Sequence, residues 1–228
     1  MKHLVIFDID GTLGDTNALD HDCYKTAFKK VSGVSELPLN LWEGCPHITD
    51  TGVTQHLYQK LFNRFADDSE LSQIKMQLVN ELIAESNKRP AGAYTIPGAS
   101  EMLTHLINSK DYAVAVATGC WKSNADIKFE ILGIQPGTIP MAHADDFLSR
   151  RQITLDAIAK SILHYDTALF SRITYVGDGL WDLKTATRLG LHFVGIDCNG
   201  DNKLRSAGAQ SVIKDYTNAD MFFGLLAS

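Results

Sequence analysis

Four aspartates stand where apolar runs stop: Asp8 and Asp10 in "VIFDIDGTLGDT", and Asp178 and Asp182 in "YVGDGLWD". The runs that lead into them, "HLVIF" and "RITYV", have the composition of buried strands, and a third run, "YAVAVATG", ends on Thr118 and Gly119. Asp8 and Asp10 are two positions apart, so an extended backbone projects both to one side. A third carboxylate from a neighbouring strand end makes three in a small volume. Uncompensated, such a cluster repels itself and holds some carboxyls protonated. Clustered Asp oxygens without Cys or His suit a hard divalent ion, Mg²⁺ before others. Mg²⁺ beside a free carboxylate oxygen fits phosphoryl transfer. In that chemistry Asp8, at the strand tip, is expected to attack phosphorus and form an aspartyl-phosphate. Asp10 is expected to protonate the leaving alkoxide and then to activate water against the intermediate.

The elements that must position these groups are legible. Four apolar runs, the three above and "LHFVGID" from Leu191, alternate with helical periodicity, which predicts a doubly wound α/β domain around a parallel sheet. Ligands of such sheets gather outside the carboxyl ends of the strands, where these residues fall. "SEMLTHLINS" sets Met102, Leu103, Leu106 and Ile107 on one face, "NADIKFEILG" aligns Ile127, Ile131 and Leu132 before a stop at Gly133, and "ITLDAIAKSIL" aligns Leu155, Ile158, Ala159, Ile162 and Leu163. Between the first and second strands, residues 16–90 carry almost no strand signal. Three amphipathic helices are expected there: one with Leu19, Cys23 and Ala27 beside Tyr24, Phe28 and Val31, one with Val53, Leu57, Leu61 and Phe65, and one with Ile74, Leu78 and Leu82. The expected division is a catalytic core of residues 1–15 and 91–228 and a helical cap of residues 16–90, joined by crossings at Gly14 to Thr16 and at "RPAGAYTIPGA", both of hinge-like composition.

Bulk properties narrow the function classes. The 228 residues are 45% hydrophobic and 21% charged, ordinary for a globular protein, with a formal net charge of −6. That charge, without a basic stripe, argues against nonspecific binding to nucleic acid. Cys23, Cys45, Cys120 and Cys198 are scattered without zinc-ligand or CxxC spacing, so reduced thiols are expected. The chain opens on a strand-like run rather than a secretory signal, and no apolar run approaches the roughly 20 residues of a membrane helix. A cytoplasmic protein with no membrane partner, monomer or homodimer, follows as the expectation.

"DIDGT" from Asp8, "ATG" ending a strand at Gly119 and "GDGLWD" from Gly177 resemble, in order and spacing, three of the four signature motifs of the haloacid dehalogenase superfamily. The resemblance covers the whole chain, and the helical insertion is similar to the family's first cap type, as in phosphoglycolate phosphatases. It implies Asp8 as nucleophile, Asp10 as acid/base, the Thr118 hydroxyl and Gly119 amide on the phosphoryl oxygens, and Asp178 as metal ligand. It also implies Asp182 as support from behind the ligands, and the metal Mg²⁺ held by Asp8, the backbone carbonyl of Asp10 and Asp178. Family members usually supply a lysine ahead of the helix before the last motif. Here "DDFLSRRQITLDAI" has arginines instead, and aligning the helix's apolar positions favours Arg150 over Arg151 for the phosphate-binding role. The acid at Asp10 separates phosphatases from dehalogenases, whose halide leaving group needs no proton. The implied activity is Mg²⁺-dependent hydrolysis of a small phosphorylated metabolite, with a sugar-phosphate mutase or a catalytically idle binding protein as alternatives. In the cap, "LWEGCPHITDTG" is read either as a specificity loop with His47 touching substrate or as a helix start in which Thr49 or Asp50 is the N-cap.

Overall fold

A computed structural model describes residues 1–228. The chain begins with β1 (His3–Phe7), then passes through three helices, α1 (Asn17–Ser32), α2 (Asp50–Phe62) and α3 (Asp68–Ser86). It continues with α4 (Ala99–Asn108), β2 (Tyr112–Ala117), α5 (Lys122–Leu132), β3 (Met141–Ala142), α6 (Arg150–His164), β4 (Arg172–Gly177), α7 (Leu180–Leu189), β5 (His192–Ile196), α8 (Lys203–Ser206), β6 (Val212–Ile213) and α9 (Ala219–Ala227).

All six strands are parallel, in the order β3-β2-β1-β4-β5-β6. The fold is therefore the doubly wound α/β sheet that the strand and helix pattern predicts. The order reverses direction at the centre: from β1 the chain builds outward to β2 and β3, then returns to β4 and builds the other way. The crevice at this switch point, outside the ends of β1 and β4, is where a parallel sheet takes its ligand. Phe7 stands in register with both Val116 and Val176, so the tips of the three central strands are level.

The strands are apolar throughout because both faces are covered. Leu4 and Ile6 point to a layer that includes Ile153 and Ala157 of α6 and Ala186 of α7, whereas Val5 and Phe7 point to Met102, Leu103 and Leu106 of α4 and to Phe222 and Leu226 of α9. The first layer runs without a break into the helical segment through Trp121 and Ile131, joining Tyr24, Phe28, Leu57, Tyr58, Ile74, Leu78 and Leu82. The two crossings between segment and sheet are held to each other: Asp15 N–H donates to Tyr94 O at 2.7 Å, and Ile96 N–H to Leu13 O at 3.0 Å.

Several details differ from the periodicity. β3 and β6 have two residues each, too few to generate an alternation. In α6 the buried stripe is Ile153, Thr154, Ala157 and Ser161, while Leu155 and Leu163 face water, Leu163 at 81% exposure. Ile107 and Leu61 are exposed, and Phe65 lies beyond α2, which stops at Phe62 where Asn63 adopts a left-handed conformation (φ 54°). In α5 the buried set is Asn124, Ala125, Lys128, Phe129, Ile131 and Leu132, so Lys128 lies inside where the apolar pattern predicts Ile127.

Candidate active site

A cavity of about 540 Å³ opens above the switch point, walled by the sheet ends below and by α1 and the start of α2 above. Asp8, Asp10, Gly119, Cys120, Arg150, Asp178 and Trp181 come from the sheet side, and Asp20, His21, Tyr24, Trp42 and Asp50 from the helical segment. A larger recess of about 720 Å³ lies near the crossings, bordered by Asp15, Glu81 and Arg89, but it holds none of the strand-end carboxylates. Chemistry, not volume, selects the site.

Asp8 follows β1 directly, and its N–H donates to Val176 O at 3.0 Å, which fixes its backbone to β4. Oxygens of Asp8, Asp178 and Asp182 lie within 4.8 Å of one another. Asp8 Oδ1 and Asp178 Oδ1 are buried without a hydrogen-bond partner. Asp178 Oδ2 is held by Asn17 Nδ2 at 3.0 Å, with Lys203 Nζ at 3.5 Å. Gly11, at φ +70°, brings the chain so close that a Cβ there would stand 2.2 Å from Asp178 Cγ. Asp182 is engaged otherwise: Gly179 N–H donates to it at 3.0 Å, the Tyr175 hydroxyl lies at 3.2 Å, and it faces Arg150 at 3.5 Å.

Arg150 is the cation of this cluster. Its Nη1 lies 3.1 Å from Asp8 Oδ1, an ion pair without a directed hydrogen bond, and its Nε donates to Ile48 O at 3.0 Å. The guanidinium crosses so near the end of β2 that a Cβ on Gly119 would meet it at 2.6 Å. Arg151, the alternative from sequence, is exposed. Arg150 and the partly exposed Lys203 do not neutralise three buried carboxylates. Burial pushes the Asp8 carboxyl upward, with Asp10 adding to the push and Arg150 opposing it. Burial, then Asp8, takes Asp178 up to about 6, and burial with Asp8 raises Asp182. Carboxylates that resist ionisation, with two buried oxygens between them that accept no hydrogen bond, fit a divalent cation.

Asp10 faces a second group. Thr16 Oγ1 donates to its Oδ1 at 2.5 Å, while Cys120 Sγ at 3.0 Å and Lys128 Nζ at 2.6 Å donate to its Oδ2. Lys128 also meets Asp20 Oδ1 at 2.5 Å. Burial alone would raise the Asp10 carboxyl, but the charge and hydrogen bond of Lys128 outweigh it and hold the carboxyl below the usual range. Both side-chain oxygens of Asp10 thus accept from the protein's own donors. Asp50 closes this group: its Oδ2 accepts from Trp121 N–H at 2.8 Å and Asn124 Nδ2 at 3.0 Å, capping α5 from outside, and burial pushes it up to about 7.

Two expected contacts fall elsewhere. Thr118 is fully buried and does not line the cavity; its hydroxyl accepts from Cys120 N–H at 3.1 Å, and the adjoining wall is Gly119 and Cys120. His47 does not line the cavity either, because its carbonyl closes the turn before α2, accepting from Thr49 N–H at 3.0 Å and from Cys45 Sγ. Thr49 is the N-cap of α2, accepting from Gly52 N–H, and the aromatic wall is His21 stacked on Trp42, ring centres 4.7 Å apart. The residues that motif reading missed are Asn17, Asp20, Lys128 and Lys203. Lys128 left a signal, since it falls on the stripe of Ala125, Phe129 and Leu132; Asp20 did not, because an acid in a first turn is ordinary.

The sequence profile described as haloacid dehalogenase-like hydrolase matches residues 5–196. No curated protein matches the chain. Among solved structures, a hydrolase from Pseudomonas syringae is 22% identical, with a TM-score of 0.69 over 92% of this chain and 93% of its own. CbbY from Rhodobacter sphaeroides, solved with phosphate, is 17% identical, TM-score 0.72, over 96% of each chain. A β-phosphoglucomutase from Clostridium difficile is 15% identical, TM-score 0.73, over 100% of this chain and 98% of its own. At these identities the structures speak for the fold.

Proposed function

Because the chain belongs to the haloacid dehalogenase-like hydrolases, a family of hydrolytic and phosphoryl-transfer enzymes, we propose that it is a Mg²⁺-dependent phosphatase acting on a small phosphomonoester through an aspartyl-phosphate at Asp8. The observation that carries this reading is the set of three buried carboxylates at the sheet end, Asp8, Asp178 and Asp182, in which Asp178 Oδ1 has no partner and Asp8 Oδ1 has only its ion pair with Arg150. Asp8 and Asp178, with the backbone carbonyl of Asp10, would hold Mg²⁺, which offsets charge on the phosphoryl oxygens.

The protein's own groups divide the work. Arg150 steadies Asp8 and offers guanidinium N–H to the phosphoryl group, with Asp182 and Tyr175 behind it. An oxygen of Asp8 bonds to phosphorus as the ester P–O bond breaks, and Asp10, which Lys128 favours in its ionised form and which must therefore first take up a proton, gives that proton to the departing alkoxide. Water then attacks phosphorus, the Asp8–phosphorus bond breaks, and the water's proton passes to Asp10. The sum is ester plus water to alcohol plus phosphate. In this reading α1–α3, within residues 16–90, are a cap that keeps bulk water from the intermediate, and residues 1–15 and 91–228 are the catalytic core. The partner is a small phosphorylated metabolite, which local cations can bind despite the net charge of −6.

The test is Asp8→Asn assayed on p-nitrophenyl phosphate with Mg²⁺. Loss of turnover is expected, and substantial turnover by the variant removes the covalent mechanism. Release of inorganic phosphate at the rate of ester loss separates this reading from the mutase, which returns an isomeric phosphate ester instead.

A further inference from the structure

Lys128 has no place in the mechanism above, yet it is a fully buried lysine a few ångströms from the reacting groups. Its ammonium donates to Asp10 Oδ2 at 2.6 Å and to Cys120 Sγ at 3.0 Å, and forms an ion pair with Asp20 Oδ1 at 2.5 Å. No donor is left for a phosphate, and Lys128 does not line the cavity. It can act on substrate only through what it holds.

What it holds is Asp10, from one of two sides. Oδ1 of Asp10 accepts from Thr16, the N-cap residue of α1; Oδ2 accepts from Lys128, which pairs in turn with Asp20 of the first turn of α1. Both oxygens are therefore fixed by links that end on α1, one direct and one through a lysine rooted in α5. A free Asp side chain samples several rotamers, and a misplacement near 1 Å costs on the order of a hundredfold in a proton transfer that depends on alignment. A doubly held carboxylate does not sample them.

We propose that Lys128 is a positioning residue that, bridging Asp10 to Asp20, fixes the acid/base carboxylate in its reactive orientation while α1 is seated on the sheet. This rests on the reading of Asp10 as the proton donor. It predicts that a disturbed bridge hurts departure of groups that need a proton and spares those that do not.

The experiment is rapid-quench measurement of phosphoenzyme formation in the Mg²⁺-loaded full chain, with p-nitrophenyl phosphate, whose phenolate leaves readily, and phenyl phosphate, whose leaving group is far more basic. Lys128→Gln is the direct variant. Asp20→Asn, nearly isosteric and on the other side of the bridge, keeps the test alive should Lys128→Gln fail to fold. Expected for either variant is a rate within about twofold of wild type on p-nitrophenyl phosphate and a loss of about tenfold or more on phenyl phosphate, with KM unchanged. Equal losses on both esters, or none on either, overturn the proposal. So does a raised KM with unchanged kcat in Asp20→Asn, which would make Asp20 a substrate contact. Should wild type form no phosphoenzyme at Asp8 with either ester, the phosphatase reading itself falls, an outcome distinct from these.

Discussion

Two acidic clusters flank the end of β1, built from nearly the same parts and left in opposite conditions. Asp8 and Asp182 share Arg150, Asp178 faces Lys203, and two of the cluster's buried oxygens accept no hydrogen bond. Asp10 and Asp20 share Lys128, with Cys120 and Thr16 completing the set, so the Asp10 oxygens are occupied by the protein's own donors. Both groups bring acidic and thiol ligand atoms within metal-binding distance of one another, yet only the first keeps a buried carboxylate oxygen, Asp178 Oδ1, with neither a hydrogen bond nor an ion pair. A carboxylate cluster is thus not a metal site by composition alone. The buried oxygen that no protein group answers, Asp178 Oδ1, marks where an external charge belongs.

The comparison breaks most directly at Asp8. Asp8→Asn removes a nucleophile, so turnover of p-nitrophenyl phosphate should fall by at least about a thousandfold, while folding is unaffected. In the self-compensated cluster the effect should appear in stability instead. Lys128→Met leaves Asp10 and Asp20 facing each other without their cation, and a loss of about 3 to 5 kcal/mol in denaturant unfolding is expected, the scale of breaking a buried ion pair from one side. Mg²⁺ should not repair it. A loss cancelled by Mg²⁺ would mean that the two clusters are not separate.

The next contrast is in pH. Asp178, pushed up to about 6, and Asp50, pushed up to about 7, both favour the protonated form in the folded state relative to an unfolded value near 4. Their contribution to stability is complete below about pH 4 and is lost as pH rises through 6 and 7. Without metal, thermal unfolding should therefore occur at lower temperature as pH rises across this window, with global changes in charge as the background. Asp178→Asn should flatten the part near pH 6, and added Mg²⁺ at pH 7.5 should raise the melting temperature of wild type but not of Asp178→Asn. Smallest is Arg150→Lys, which keeps the charge but loses the planar fork and the Nε bond to Ile48 O. A drop in kcat within about tenfold is expected; a thousandfold drop would show that the fork itself, not its charge, carries the role.

How much of this the sequence contained follows from where the information sits. The strand ends announced Asp8, Asp10 and Asp178 because carboxylates at the tip of a buried strand carry a desolvation cost that a bound cation offsets. Arg150 was placed by the helix it begins, although the apolar stripe of that helix runs differently from its periodicity: Leu155 and Leu163 face water and Thr154 and Ser161 face in. The second cluster was not legible as a unit. Asp20 is far in the chain from Cys120 and Lys128, and nothing in the spacing says that it meets them. Only Lys128 among the apolar positions of α5 hinted at a buried partner. His47 was drawn to the site by its neighbourhood in sequence, whereas the turn before α2 uses its carbonyl, and His21 with Trp42 forms the wall.

The central claim, that the uncompensated cluster exists to let Asp8 capture phosphorus, is tested most directly by trapping the intermediate. Enzyme turning over p-nitrophenyl phosphate with Mg²⁺ is quenched in acid and reduced with borohydride, which converts an aspartyl-phosphate to homoserine, and the peptides are read by mass spectrometry. The account predicts homoserine at position 8 and at no other aspartate. Steady turnover with an unmodified Asp8, or with the modification at Asp10 or Asp178, would contradict it.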